Sequence, residues 1–181
     1  MSIPTLSKLA RPGLGACLIL VLCTQTATAK MDGGQMFIER QAIEKVLYFA
    51  NLGFELSDPD MFANAYAEDA TYVVDSKWPL FGFEKLKYTG RADIRGIITQ
   101  RLNNPQNPDT LSYNPATLRR FNRNSNQFIE IIDETHARHY CNWMVVMRTN
   151  VDIHTSAIGR YEDDLEKRNG QWYIVKRVRR E

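Results

Sequence analysis

The sequence is poor in several features that fix small proteins. It has three cysteines among 181 residues, and two of them, Cys17 and Cys23, lie in the N-terminal segment. That segment shows the three-part pattern of a secretory leader: Lys8 and Arg11, then the apolar run Leu14 to Leu22, then the small residues Ala27-Thr28-Ala29. Cleavage after Ala29 would leave Cys141 alone, which excludes an intrachain disulfide even in an oxidising compartment. The apolar run of about nine residues falls well short of the roughly twenty that span a bilayer, so no stable membrane anchor is expected. Nor is a lipid anchor, because Cys23 follows Leu22 and Cys17 lies inside the run.

An excess of charge is missing too. Of 23 basic residues, Lys8 and Arg11 belong to the leader, which holds no acidic residue, and the rest balance the 21 acids. No nucleic-acid partner follows from such a surface. There is no glycine-rich phosphate loop and no nucleophile elbow, so no cofactor is called for. His136 and His139 have His-x-x-His spacing, but residues three apart on a strand face opposite ways, and a shared metal ion is not expected. Cys141 has no activating partner nearby in sequence and reads as a small buried residue. His154 opens a strand and reads as a surface residue.

What is present is one domain of roughly 150 residues, 30–181, behind a leader at 1–29. From Phe37 to Leu56 the residues Ile43, Val46, Leu47, Ala50 and Phe54 recur at helical spacing among charged ones, which predicts a long amphipathic helix packed on a flat partner. Asp58 as N-cap and Pro59 in the first helical position predict a second, short helix through Met61, Phe62 and Tyr66. Thr71 to Val74 reads as a strand, Trp78 to Phe83 as an aromatic loop, and Asp93 to Leu102 as a third helix. Asn103 to Pro115, with three prolines and four asparagines, reads as a loop or lid.

The remainder is strand-like: Phe128 to Ile132, Ala137 to Thr149, Ile153 to Glu166 and Trp172 to Val178, the last two joined by a hairpin turn at Asn169-Gly170. Helices first and long consecutive strands afterwards predict an α+β fold with an antiparallel sheet. Strands of this length fit if they bend around a helix, leaving a concave face that encloses a pocket. Alternation in the second long strand is imperfect, with Cys141, Trp143, Val145 and Met147 on one face and Met144 and Val146 on the other. Both faces are then partly covered, and a homodimer through the outer face is expected.

The passage Ser57-Asp58-Pro59-Asp60, Phe62, Tyr66, Glu68-Asp69-Ala70-Thr71 resembles the helix-to-first-strand passage of SnoaL-like proteins in the nuclear-transport-factor-2-like superfamily. Tyr88-Thr89-Gly90-Arg91 and the closing set Gly159 to Asp163, Asn169-Gly170, Trp172 and Arg177 resemble it as well. The resemblance implies a cystatin-like α+β barrel, a cone-shaped curved antiparallel sheet packed around helices with an internal pocket. It also implies a family that holds cofactor-independent lyases, dehydratases and isomerases beside members without known chemistry.

In the family's dehydratases and dehydrochlorinases a carboxylate near the end of the first helix works with a strand histidine, helped by an arginine on the last strand. Carried over by position, the carboxylate falls on Glu55, fourteen residues before Asp69; the histidine falls on Asn122; the arginine, five residues after Trp172, falls on Arg177. The expected imidazole is therefore replaced by an amide. A carboxylate base in an apolar pocket remains, with Asn122 and Arg177 to hold developing charge, and Tyr48, two turns before Glu55, as a proton donor.

The function expected on this basis is proton abstraction by Glu55 from a hydrophobic cyclic or aromatic small molecule, in a lyase or isomerase located in the periplasm or secreted. The other reading is a non-catalytic small-molecule-binding or dimeric interaction protein of the same fold.

Overall fold

A computed structural model describes residues 31–75, 85–103, 119–148 and 152–181. The leader, the aromatic loop 78–83 and the asparagine-rich stretch beyond Asn103 lie outside them.

The long helix α1 covers Gly33–Leu56 and starts where Asp32 accepts a hydrogen bond from the Gln35 N–H. Its buried stripe is Glu39, Ile43, Leu47, Ala50 and Phe54, the apolar face that the spacing predicts with one carboxylate added. It stops at Ser57, which takes a left-handed conformation at φ 56°. α2, Pro59–Asn64, begins as read from the sequence: Asp58 accepts from the backbone N–H groups of Asp60 and Met61, and Pro59 needs no partner at the first position. Gly53 lets the two helices touch, since a Cβ there would lie 2.4 Å from the Phe62 nitrogen.

The strands β1 (Tyr66–Asp75) and β2 (Leu86–Thr89) lead into α3 (Arg91–Asn103). Four long strands follow: β3 (Arg119–Ile131), β4 (His136–Arg148), β5 (Ile153–Arg168) and β6 (Gln171–Arg180). They form one six-stranded sheet in the order β2-β1-β6-β5-β4-β3. The expected antiparallel pairing holds at every junction except one, where the last strand returns beside the first and β1 and β6 run parallel.

The long strands bend. Register shifts interrupt β3 between Ser125 and Phe128, β4 against β5 at Val145, and β5 against β6 at Asp164. Each extra residue kinks its strand and adds twist, which curves the sheet around α1. The turn Asn169-Gly170 has φ of 51° and 82°, as the hairpin signal requires.

The main core lies between the helices and one half of the sheet, with Ile43, Leu47, Phe62, Tyr66, Leu165 and Ile174 at its centre. A smaller cluster, Cys141, Trp143, Val145 and Tyr161, occupies the other half. Glu39 ties α1 to the sheet. Its carboxylate accepts from Lys167 Nζ at 2.7 Å and from the Trp172 indole at 2.7 Å. Burial alone would raise its pKa, but these hydrogen bonds and the Lys167 charge outweigh burial and hold it below the ordinary value.

Candidate functional site

Between the two apolar clusters the sheet carries a row of charge. His139 on β4 pairs in register with Asp163 on β5, and Asp163 with Arg177 on β6. In-register residues on adjacent strands point to the same face, so the three side chains meet on the concave side. His139 Nδ1 lies 2.8 Å from Asp163 Oδ2, and Arg177 donates to both oxygens of the same carboxylate, at 2.7 and 2.8 Å. All three are almost wholly buried. The Arg177 guanidinium also lies over the Tyr161 ring, 4.4 Å from its centroid, and faces Tyr66 at 5.7 Å.

The electrostatics of the row balance. Burial opposes the charge on Asp163, but the Arg177 charge and the hydrogen bonds from Arg177 and His139 outweigh it, so its pKa is lowered. Burial likewise opposes the charge on Arg177, and Asp163 overcomes it. One anion and one cation cancel when the imidazole is neutral, as a buried ion pair requires. With Nδ1–H donated to Asp163, the Nε2 lone pair is the free end of the ring, and this atom is buried with no hydrogen-bond partner among the described residues.

The next rows of the concave face surround a cavity of about 10 Å³, room for one water molecule. Its border comes from Asn51 and Phe54 of α1, Asn122 and Asn124 of β3, Trp143 and Val145 of β4, Tyr161 of β5 and Arg179 of β6. This space is small and has polar groups on several sides. Tyr161 belongs to both layers, since it borders this cavity and stacks on Arg177.

The sequence-derived candidates divide between these layers. Arg177 joins the charged row, and its partner is Asp163. Asn122 borders the cavity, in a segment whose polarity suits a loop but which forms the first half of β3. Glu55 is half-buried in the last turn of α1, one turn beyond Asn51, and among the described residues it makes no hydrogen bond or ion pair with Asn122 or Arg177. Tyr48 is 60% exposed and packs edge-on against Phe49, away from the cavity. The histidines face opposite ways, as their spacing requires: His136 is exposed and caps the β3–β4 turn with Asp133, while His139 is buried. Cys141 is buried, and burial pushes its thiol up to about 11.

His139, Asp163, Trp143 and Asn124 are not among the catalytic candidates drawn from the sequence, although Asp163 is one of the two acids, with Asp164, that it offers as a partner for Arg177. Strand phase carries the missing signal: His139 is in step with Cys141, Trp143 and Val145, and Asp163 with Tyr161 and Leu165, so charged groups occupy positions whose neighbours are apolar.

Comparison with known proteins agrees with this architecture. No curated protein matches the chain. Among solved structures, a function-unknown protein from Mycobacterium tuberculosis is similar at 20% identity and a TM-score of 0.62, over 84% of this chain and 77% of its own. A nuclear-transport-factor-2-like protein with a cystatin-like fold from Novosphingobium aromaticivorans is similar at 14% identity and a TM-score of 0.63, over 81% and 83%. A candidate scytalone dehydratase from the same organism is similar at 22% identity and a TM-score of 0.55, over 81% and 86%. At such identities the likeness shows a shared fold. The model of the SnoaL-like domain matches residues 35–178, and the chain belongs to the SnoaL-like family.

Proposed function

We propose that this protein is a cofactor-independent lyase, dehydratase or isomerase that moves a proton on a cyclic or aromatic small molecule, with His139 as the base in place of Glu55. One observation carries the reading: a buried imidazole is held by Asp163 at 2.8 Å with its Nε2 unengaged among the described residues. A carboxylate on Nδ1–H fixes the tautomer and stabilises the imidazolium that forms when Nε2 takes a proton. The structural likeness to a candidate scytalone dehydratase supports the same class of chemistry.

In this scheme Nε2 removes a proton from a carbon next to a carbonyl or conjugated ring. The C–H electrons move into that system and charge collects on its oxygen, where N–H donors stabilise it. In a dehydration the imidazolium returns its proton to the leaving hydroxyl, which departs as water. In an isomerisation the proton returns to another carbon. Either cycle leaves His139 neutral. A cavity of about 10 Å³ has room for one oxygen atom of such a ligand and not for its ring.

Turnover of a panel of cyclic hydroxy-ketones and aromatic alcohols by wild type, His139→Gln and Glu55→Gln tests the assignment. Loss of about a thousandfold in His139→Gln, within the range for general bases, with Glu55→Gln near wild type is expected. Equal turnover by wild type and a folded His139→Gln protein overturns it.

The outer face favours a homodimer. Phe128, Tyr140, Met144 and Ile158 are exposed on β3, β4 and β5, Phe128 beside Tyr140 and Met144 beside Ile158 in register. The two apolar pairs share this face with the exposed Asn142 and Arg160 between them, a mixed surface that a self-complementary interface can use. Sedimentation equilibrium is expected to give a dimer for wild type and a monomer for Met144→Glu with Ile158→Glu. The leader pattern supports a periplasmic or secreted location, which fractionation of the expressed full chain checks.

A further inference from the structure

The cavity beside the charged row has a composition of its own. Four of its bordering residues carry a buried polar atom without a partner among the described residues: Asn122 Nδ2, Asn124 Oδ1, Trp143 Nε1 and Arg179 Nε. Unpaired buried polar atoms are rare and costly, and here they converge on one space. Trp143 is only 3% exposed, so its indole N–H cannot turn to solvent. Three of the four atoms are donors.

The setting is cationic and aromatic. The Arg179 guanidinium lies 4.3 Å from the centroid of the Trp143 ring, and its far nitrogen pairs with Glu181 while Nε has no partner among the described residues. Trp143 stacks on Tyr161 at 5.7 Å. Gly159 opposite Trp143 makes the seat possible, because a Cβ there would lie 2.6 Å from the indole.

We infer that this chamber is a seat for an oxygen atom of an anionic or strongly polarised group, a carboxylate or conjugated carbonyl on a flat ring, bound by Trp143 Nε1, Arg179 Nε and Asn122 Nδ2. The chamber has room for one atom of oxygen size, so the three donors take the oxygen and the ring stays outside it. Asn124 Oδ1, the lone acceptor, suits a neighbouring hydroxyl. The seat names the substrate class for the proposed proton transfer and rests on that reading for its catalytic meaning, but binding can be measured without turnover.

Titration of the full chain with benzoate, cyclohexenone and toluene, followed by the ¹H–¹⁵N signal of the Trp143 indole, tests it. Benzoate and cyclohexenone are expected to move that signal downfield, benzoate at lower concentration because of the Arg179 charge, and toluene to leave it in place. Arg179→Met is expected to weaken benzoate by about tenfold or more, the size of one charge-assisted hydrogen bond. Should that variant not fold, Asn122→Asp keeps the shape, turns a donor into an anion, and is expected to weaken benzoate more than cyclohexenone. An indole signal unmoved by benzoate, or moved equally by toluene, overturns the seat. Binding intact in His139→Gln, with turnover absent from every protein including wild type, upholds the seat and removes the lyase reading instead.

Discussion

Asp163 accepts from His139 at 2.8 Å while both its oxygens are held by Arg177, so one buried carboxylate serves two basic side chains. Asp163→Asn keeps the volume but leaves the Arg177 charge unpaired in the core. Removal of one partner of a buried pair is expected to cost about 3–5 kcal/mol, measured by urea unfolding. Replacing both partners, Asp163→Leu with Arg177→Met, is expected to cost less than the two single changes added together, because no lone charge remains.

Acid is expected to weaken the fold through the same kind of group. The pKa of Asp163 is lowered from its ordinary 3.8, and that of Glu39 from 4.5. A carboxylate with a depressed folded pKa contributes stability that is complete above its unfolded pKa and disappears as pH falls through the folded one. Unfolding free energy is therefore expected to decline below about pH 4.5. Glu39→Gln is expected to make that decline shallower and, by disturbing the bonds to Lys167 and Trp172, to lower stability near pH 7 by about 1–3 kcal/mol.

Much of this fold is legible from local chemistry. The Asp58 cap, Pro59 and the Asn169-Gly170 turn each act within a few residues, and each appears where the sequence places it. β3 is not legible in that way. Asn122 and Asn124 turn inward and Arg123 and Ser125 outward, so the strand has alternation without an apolar phase, and its polar run resembles a loop. The site is harder still. His139 and Asp163 are 24 residues apart and meet only because β4 and β5 pair in one register. Glu55, located by position in a family pattern, is on the predicted helix, but a position in a pattern does not fix which groups a side chain reaches.

Gly170 isolates a backbone effect. Its φ is 82°, and a Cβ placed there would meet no atom within 4 Å. Gly170→Ala is thus free of steric conflict with neighbours and is expected to cost about 1 kcal/mol, the penalty of a left-handed conformation for a residue with a side chain. Thermal unfolding checks it, with secondary structure by circular dichroism expected to remain that of wild type.

Gly159 isolates the opposite effect. Its backbone is not in the left-handed region, but a Cβ would lie 2.0 Å from the Arg180 carbonyl oxygen and 2.6 Å from the Trp143 ring. The first atom is backbone in the neighbouring strand and the second belongs to a buried indole in contact with Tyr161 and Arg179. Neither can retreat without parting β5 from β6 or tilting Trp143. Gly159→Ala is expected to cost about 1–3 kcal/mol, typical of an overfilled site, and to change the near-ultraviolet circular dichroism of Trp143. A smaller companion at the same contact separates the two sources: with Trp143→Phe in place, the added cost of Gly159→Ala is expected to fall if the indole is the main obstacle. An unchanged cost would place the conflict at the Arg180 carbonyl, in the pairing of the strands themselves.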